Sequence, residues 1–386
     1  MTLNLSHRSS LMIQSEIRNM SIECERVNGI NLSQGICDLE LPLPVRLGAT
    51  EAISGGINHY TRYDGLPELR EAISRKILYD NGISADPDKN IVVSGGSTGA
   101  FYCACLALLN PGDEVILFEP YYGYHVNTLL AANAIPVYAS LEPPTWSIDF
   151  AALERLVSPR TKGIMINTPA NPSGKVFSRG ELNQLAEFAV RHELFVFTDE
   201  IYEYFVYDNN THLSPGALES IADQTITISG YSKTFSITGW RIGYAVCHEK
   251  WAQMIGYVND LIYVCGPAPL QMGVARGINE LPAAYYQSLC QQYSRKRDKV
   301  CSTLTQIGLE PYIPQGAYYV LSNVKRIPGS SSKEKAMFLL NRTGVATVPG
   351  SAFYADTKGE NLVRFCFAKD DDILDKACHR LLQLSL

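Results

Sequence analysis

Lys233 stands in the run Ser229-Gly230-Tyr231-Ser232-Lys233-Thr234, directly after the β-branched stretch Thr225-Ile226-Thr227-Ile228. Arg241 follows within Gly239-Trp240-Arg241-Ile242-Gly243. A lysine held in a dry pocket loses its proton and condenses with an aldehyde to a Schiff base. An arginine beside hydroxyl groups neutralises a phosphate. The alternative for such a lysine is a solvated loop.

Five other segments bear on the choice. Gly95-Gly96-Ser97-Thr98-Gly99-Ala100 follows an apolar strand and opens a helix, where backbone N–H groups and the Ser97 and Thr98 hydroxyls form an anion site. Tyr122, in Pro120-Tyr121-Tyr122-Gly123-Tyr124, ends the next strand and can stack on a flat heterocycle. A surface cluster is the alternative in a chain with 22 tyrosines. In Thr168-Pro169-Ala170-Asn171-Pro172-Ser173-Gly174, prolines stiffen the backbone around Asn171, whose amide can donate to a ring hydroxyl oxygen; a plain turn would read the same.

Asp199, in Thr198-Asp199-Glu200-Ile201-Tyr202, ends another apolar strand. A carboxylate there can keep a pyridine nitrogen protonated, and Tyr202 can offer its phenol to the same ring. Helix capping is the other use of Asp199. Arg364 sits in the apolar stretch Asn361-Leu362-Val363-Arg364-Phe365-Cys366-Phe367 and needs an anionic partner. A substrate α-carboxylate would serve, as would an internal salt bridge. Aldehyde, phosphate and pyridine on one ligand describe pyridoxal 5'-phosphate (PLP), the electron sink of amino-acid chemistry.

These residues must be carried by a scaffold. From about residue 90, short apolar runs alternate with amphipathic stretches. Strands are expected at 91–94, 114–118, 135–138, 163–167, 194–198, 225–228 and 241–247. Helices are expected at 99–109, 123–133, 149–157 and 178–192, the last with Ser178 as N-cap. Near-continuous apolar strands joined by helices mean a mostly parallel sheet covered on both faces. After about residue 275 a long helix (283–307), strands at 317–322 and 361–368 and a last helix (371–384) read as a smaller unit. The expected fold is therefore α/β: a three-layer sandwich around a mostly parallel sheet, with a smaller α+β domain built from both termini. Residues 46–275 would form the large domain, 1–45 and 276–386 the small one.

The 386 residues carry 33 Lys and Arg against 39 Asp and Glu, a formal net charge of −6. No basic stripe marks a nucleic-acid surface. The densest basic stretch, 294–299, reads as a solvated helix face. No apolar run approaches a membrane span, and the run 11–13 is too short for a secretory h-region. The ten cysteines show no zinc or redox spacing, Cys103 and Cys105 read as core filling, and a reducing cytoplasm is expected. No metal is expected.

Taken in order, the segments identify a family. The chain resembles PLP-dependent aminotransferases of fold type I, class I/II, from Leu32-Ser33-Gln34-Gly35 to Arg364. The signals include Tyr60-Thr61 with Gly65-Leu66-Pro67-Glu68-Leu69-Arg70, the glycine-rich turn, Asn171-Pro172-Ser173-Gly174, Asp199-Glu200-Ile201-Tyr202, Ser232-Lys233-Thr234, and Val348-Pro349-Gly350-Ser351-Ala352-Phe353. The resemblance implies that Lys233 forms the Schiff base with PLP and shuttles the proton, through a quinonoid intermediate, with Asp199 on the pyridine nitrogen. It further implies Asn171 and Tyr202 on the ring hydroxyl, Tyr122 on the ring face, and Ser97, Thr98, Ser232 and Arg241 on the phosphate. Tyr60 would reach the phosphate of a neighbouring subunit, making a homodimer with shared sites. Arg364, Asn171 and the backbone at Gly35 would hold the substrate carboxylate.

Three positions depart from the family pattern. Cys37 stands where proline is common, Gly230 where a phosphate-binding serine is common, and Ser173 where threonine is common. Ser229 and Ser232 both remain candidates for the missing serine. His125 either faces the pocket or packs on its helix. Glu16, Glu23, Asp38 and Glu40 read as solvated surface, and no second arginine marks a dicarboxylate substrate. The expected reaction is transfer of an amino group from an L-amino acid to an α-keto acid; a PLP-dependent lyase or cyclase acting on an activated amino acid is the alternative.

Overall fold

The structure is a computed structural model that describes residues 3–11 and 14–384; Met12 and Ile13 of the short apolar run lie outside the described residues. Seven strands form one sheet: β1 (Ile91–Gly95), β2 (Glu114–Glu119), β3 (Ile135–Ser140), β4 (Thr161–Asn167), β5 (Phe195–Asp199), β6 (Thr225–Gly230) and β7 (Ile242–Val246), in the order β1-β7-β6-β5-β4-β2-β3. Strands β2 to β6 pair in parallel. β7 runs antiparallel to both of its neighbours.

The apolar content of the strands follows from burial on both faces. Along β2, Val115 and Leu117 join a cluster with Phe101 and Cys105 of the helix Gly96–Leu108. Ile116 and Phe118 point to the opposite face, where Leu182, Leu185 and Phe188 of the helix Arg179–Arg191 cover them. The period of two thus serves two cores instead of one core and solvent. Ser178 caps its helix as expected, in a reciprocal capping box with Glu181, a contribution of about 1 kcal/mol.

A second, antiparallel sheet holds β8 (Glu310–Tyr312), β9 (Tyr319–Asn323), β10 (Val348–Pro349) and β11 (Leu362–Cys366), in the order β10-β11-β9-β8. The helices Ala283–Gln306 and Asp371–Leu382 pack with it around Val320, Leu304 and Leu374. Ile30 and Asn31 pair in parallel with Val345 and Ala346, tying the first segment to this unit.

Some expectations need correction. The helix expected at 99–109 begins at Gly96, so Ser97 and Thr98 lie in its first turn. The helix expected at 149–157 ends at Glu154, with Asp149 as its cap. The basic stretch 294–299 is not a solvated face throughout. Lys296 and Arg297 are buried, Lys296 donating to Asp371 Oδ1 at 2.5 Å and Arg297 making two bonds to Asp208 at 2.8 and 3.0 Å. Their aliphatic stems cover core while their heads find carboxylates. Cys103 and Cys105 are buried, as core filling requires.

Candidate active site

In a parallel sheet, residues just beyond the C-terminal strand ends converge on one edge. Tyr122, Asn171, Asp199 and Lys233 end or follow β2, β4, β5 and β6 and all line one cavity of about 540 Å3. Gly35 and Arg364 reach the same cavity from outside this sheet.

Asp199 is the last residue of β5 and is buried. Its Oδ2 lies 2.8 Å from Nε2 of His125, and Asn167 Nδ2 donates to its carbonyl at 2.9 Å. His125 is itself buried, edge-on to Tyr122 (5.3 Å, 88°) and Phe101 (5.6 Å, 80°). Ring packing and the hydrogen bond fix the carboxylate's rotamer. No helix follows directly on Asp199, so helix capping is not its use. Sequence left His125 between pocket and packing; the structure shows a packed ring gripping the site carboxylate.

Lys233 follows β6. Tyr231 and Phe235 stack beneath it (4.6 Å, 23°), which turns the intervening lysine toward the cavity. Its Nζ, half-buried at the cavity wall, donates to the Gly35 carbonyl at 3.2 Å. Desolvation pushes the lysine pKa down from its ordinary value; Arg241 adds to this, while Cys37, Cys366 and Asp199 oppose it. Ser229 points away, bonding Glu200 O and Glu203 Oε1 at 3.4 and 3.1 Å, whereas Ser232 lines the cavity. A side chain at Gly230 would put Cβ 2.9 Å from Ile242 O and 3.0 Å from Gly243 Cα. Close packing of β6 on β7 therefore excludes serine there.

Ser97, Thr98 and Arg241 meet at one corner of the cavity. Arg241 has a left-handed backbone (φ 56°) and donates to Thr238 O at 3.1 Å and Gly95 O at 3.3 Å. A Cβ at Gly96 would sit 2.3 Å from the guanidinium, and one at Gly243 2.3 Å from Ser97 N. Two missing side chains thus let the helix N-terminus and the arginine converge. N–H groups, hydroxyls and a guanidinium make an anion site.

Arg364 is fully buried on β11. It donates to Asn171 Oδ1 at 2.9 Å and Ser33 O at 2.5 Å, and its Nε has no partner. The guanidinium carbon lies 4.1 Å from the Tyr319 ring centroid and 5.0 Å from that of Phe353. No carboxylate pairs with it among the described residues, so the internal salt bridge is not formed. A buried guanidinium without an anion is costly, and Arg364 lines the cavity.

Asn171 Oδ1 is turned to Arg364, which leaves its NH2 for another acceptor. Tyr202 Oη lies 3.1 Å from Tyr319 Oη. Burial pushes the Tyr122 and Tyr202 phenols well up, so both stay protonated. The Gly35 carbonyl is occupied by Lys233 and by Tyr318 Oη at 3.1 Å, leaving only the N–H of this residue for an anion. Tyr60 is exposed and lies outside the cavity of its own chain.

Two charged groups at the cavity mouth escaped sequence reasoning. Arg18 and Glu25 lie on the face of the helix Glu16–Arg26 that borders the cavity, one turn either side of Ser21 and Ile22. The helical spacing was there to be read. Glu16, Glu23 and Asp38 pair instead with Lys333, Arg26 and Lys369. No cluster of three or more His, Cys, Asp or Glu suited to a metal occurs among the described residues, and no described helix is long and apolar enough to cross a membrane.

Residues 27–381 match the model of the aminotransferase class I and II family. An aspartate aminotransferase of Pyrococcus abyssi is 34% identical over 380 residues, 98% of this chain and 97% of that one. The methionine aminotransferase of Escherichia coli is 32% identical over 365 residues, covering 95% and 94%. The solved N-succinyldiaminopimelate aminotransferase of Mycobacterium tuberculosis superposes with a TM-score of 0.95 at 34% identity, covering 98% of this chain and 99% of that chain.

Proposed function

The chain belongs to the class I and II aminotransferases and is a PLP-dependent aminotransferase, and we propose that Lys233 carries its chemistry at the cavity where the strand ends meet. The observation behind this reading is the juxtaposition in one cavity of a half-buried lysine with a gripped carboxylate, an anion corner and a buried arginine. These residues fit the cofactor. The Arg241 corner suits a phosphate, Asp199 a pyridinium, and the free NH2 of Asn171 with the Tyr202 phenol a ring oxygen.

When bound, PLP supplies the electron sink that makes loss of the substrate Cα proton feasible. The remaining tasks fall to the protein. Arg364, with Asn171 beside it and the Gly35 N–H, holds the substrate α-carboxylate and so orients Cα. Lys233, whose amine desolvation makes easier to deprotonate, is placed to take the Cα proton and to hand it back. Asp199, gripped by His125, would face the ring nitrogen. Tyr122 covers the ring face and excludes water. Ser97, Thr98, Ser232 and Arg241 hold the phosphate.

The substrates in this reading are an L-α-amino acid and an α-keto acid. The relatives above are named for aspartate, methionine and N-succinyldiaminopimelate. The exposed Tyr60 completes the phosphate site of a second subunit in a cytoplasmic homodimer. Residues 46–275 form the large domain, and 1–45 with 276–386 the small one.

The reading is tested by adding PLP to the purified chain. A Schiff-base absorbance is expected in the wild type and absent from Lys233→Ala. A wild-type chain that acquires no chromophore would refute it.

A further inference from the structure

We propose that Tyr318 is a positioning residue for Lys233, fixing through the Gly35 carbonyl the place where the lysine amine is held, with Cys37 as the outer member of the same cluster. The proposal rests on the reading of Lys233 as the residue that moves the proton.

Two donors converge on one carbonyl. Lys233 Nζ approaches Gly35 O at 3.2 Å and Tyr318 Oη approaches it at 3.1 Å. The Cys37 thiol, two residues beyond Gly35, lies within bonding reach of the Tyr318 and Tyr293 hydroxyls. Cys37, Tyr318 and Gly35 O thus form one connected cluster, with Lys233 arriving from the other side.

Tyr318 is well placed for this task. It is fully buried, and its ring meets Tyr202 edge-on (5.0 Å, 87°) and Phe205 likewise (5.4 Å, 87°). The hydroxyl therefore cannot swing away. The lysine nitrogen lies 6.0 Å from the centroid of the same ring. Tyr318 thus links the lysine to Tyr202, which faces the cavity. Cys37 belongs to the same device: it stands where the family commonly has proline, and proline would supply no group to bond the phenol.

The consequence has a sign. A carbonyl that accepts two hydrogen bonds gives less to each, and the Tyr318 O–H dipole points its positive end toward the ammonium. Tyr318→Phe keeps the ring but removes both effects, so the lysine cation gains stability. The other titratable groups acting on Nζ are Cys37, Cys366, Arg241 and Asp199, and all remain in that variant.

The test reads the lysine itself. The full chain, freed of cofactor, is treated with limiting acetic anhydride across a range of pH, and Lys233 acetylation is quantified by peptide mass spectrometry. The exposed Lys89 serves as internal control. In Tyr318→Phe the midpoint for Lys233 should move up by roughly half a pH unit or more. In Cys37→Ala it should move the same way by less, since a thiol is a weak hydrogen-bonding partner. An unchanged midpoint in folded Tyr318→Phe overturns the proposal. Should that variant not fold, an unchanged midpoint in Cys37→Ala overturns it instead. Failure here leaves the PLP reading standing, because that reading is decided by chromophore uptake.

Discussion

His125 Nε2 and Asp199 Oδ2 lie 2.8 Å apart, both buried, with the imidazole wedged between Tyr122 and Phe101. The carboxylate that faces the cavity is therefore aimed by a residue behind it. Removing the imidazole leaves a buried acceptor unsatisfied on that side, at a cost of about 1–3 kcal/mol. His125→Ala should weaken PLP binding about tenfold, and His125→Gln should restore part of the loss. Titration of the cofactor-free chain with PLP, followed by absorbance, measures this directly. Equal affinity in His125→Ala would show that Asp199 needs no such support.

Arg364 has an unpartnered Nε and no carboxylate beside it. Lysine at this position keeps a charge but loses the planar fork. Arg364→Lys should raise KM for the amino acid by about 10- to 100-fold while altering kcat less. Steady-state kinetics would show the split. A KM left at the wild-type value would remove the arginine from substrate binding.

Gly243 lets β7 pass the N-terminus of the helix Gly96–Leu108, since a Cβ would sit 2.3 Å from Ser97 N. Gly243→Ala must push these backbones apart, a strain of about 1–3 kcal/mol. A lower melting temperature and weaker PLP retention are expected together, because the same backbone builds the anion corner. Melting curves with and without PLP test both. A variant that melts like the wild type and retains PLP would show that the contact relaxes freely.

Lys233 has a folded-state pKa below its ordinary 10.5. The unfolded chain therefore holds the extra proton in the window between the lowered value and 10.5, and stability from this group rises with pH there. Lys233→Met removes the effect while keeping an unbranched side chain. Cofactor-free wild type minus Lys233→Met should show a stability difference that shifts in favour of the wild type as pH climbs toward 10.5. Denaturant unfolding at several pH values gives the comparison. A flat difference would mean that the lysine is not desolvated.

Asp199, Asn171 and Lys233 were legible because each ends or follows an apolar strand. All three interrupt hydrophobic runs at the edge where a parallel sheet gathers its loops, so type and position agreed. His125 was not legible in the same way. Its role depends on the turn of the helix Gly123–Ala131 against β5, a tertiary fact with no local sequence mark. Arg18 and Glu25 became cavity residues only once the helix Glu16–Arg26 was placed over the site. Arg241 looked like part of a strand, yet its left-handed backbone ends the turn before β7. Lys296 and Arg297 looked solvated because charge alone does not reveal that Asp208 and Asp371 wait across the fold. The choice between Ser229 and Ser232 turned on which way consecutive residues point at the end of β6, and only packing decides that.

Amino-group transfer is tested most directly by a half-reaction. The PLP-loaded chain is mixed with one L-amino acid and no acceptor, and absorbance and keto-acid release are followed together. The account predicts loss of the Schiff-base band with one keto acid released per active site, recovery of the band on adding an α-keto acid, and neither change in Lys233→Ala. Product that accumulates far beyond one equivalent without an acceptor, while the band persists, would contradict it and point to elimination or cyclisation.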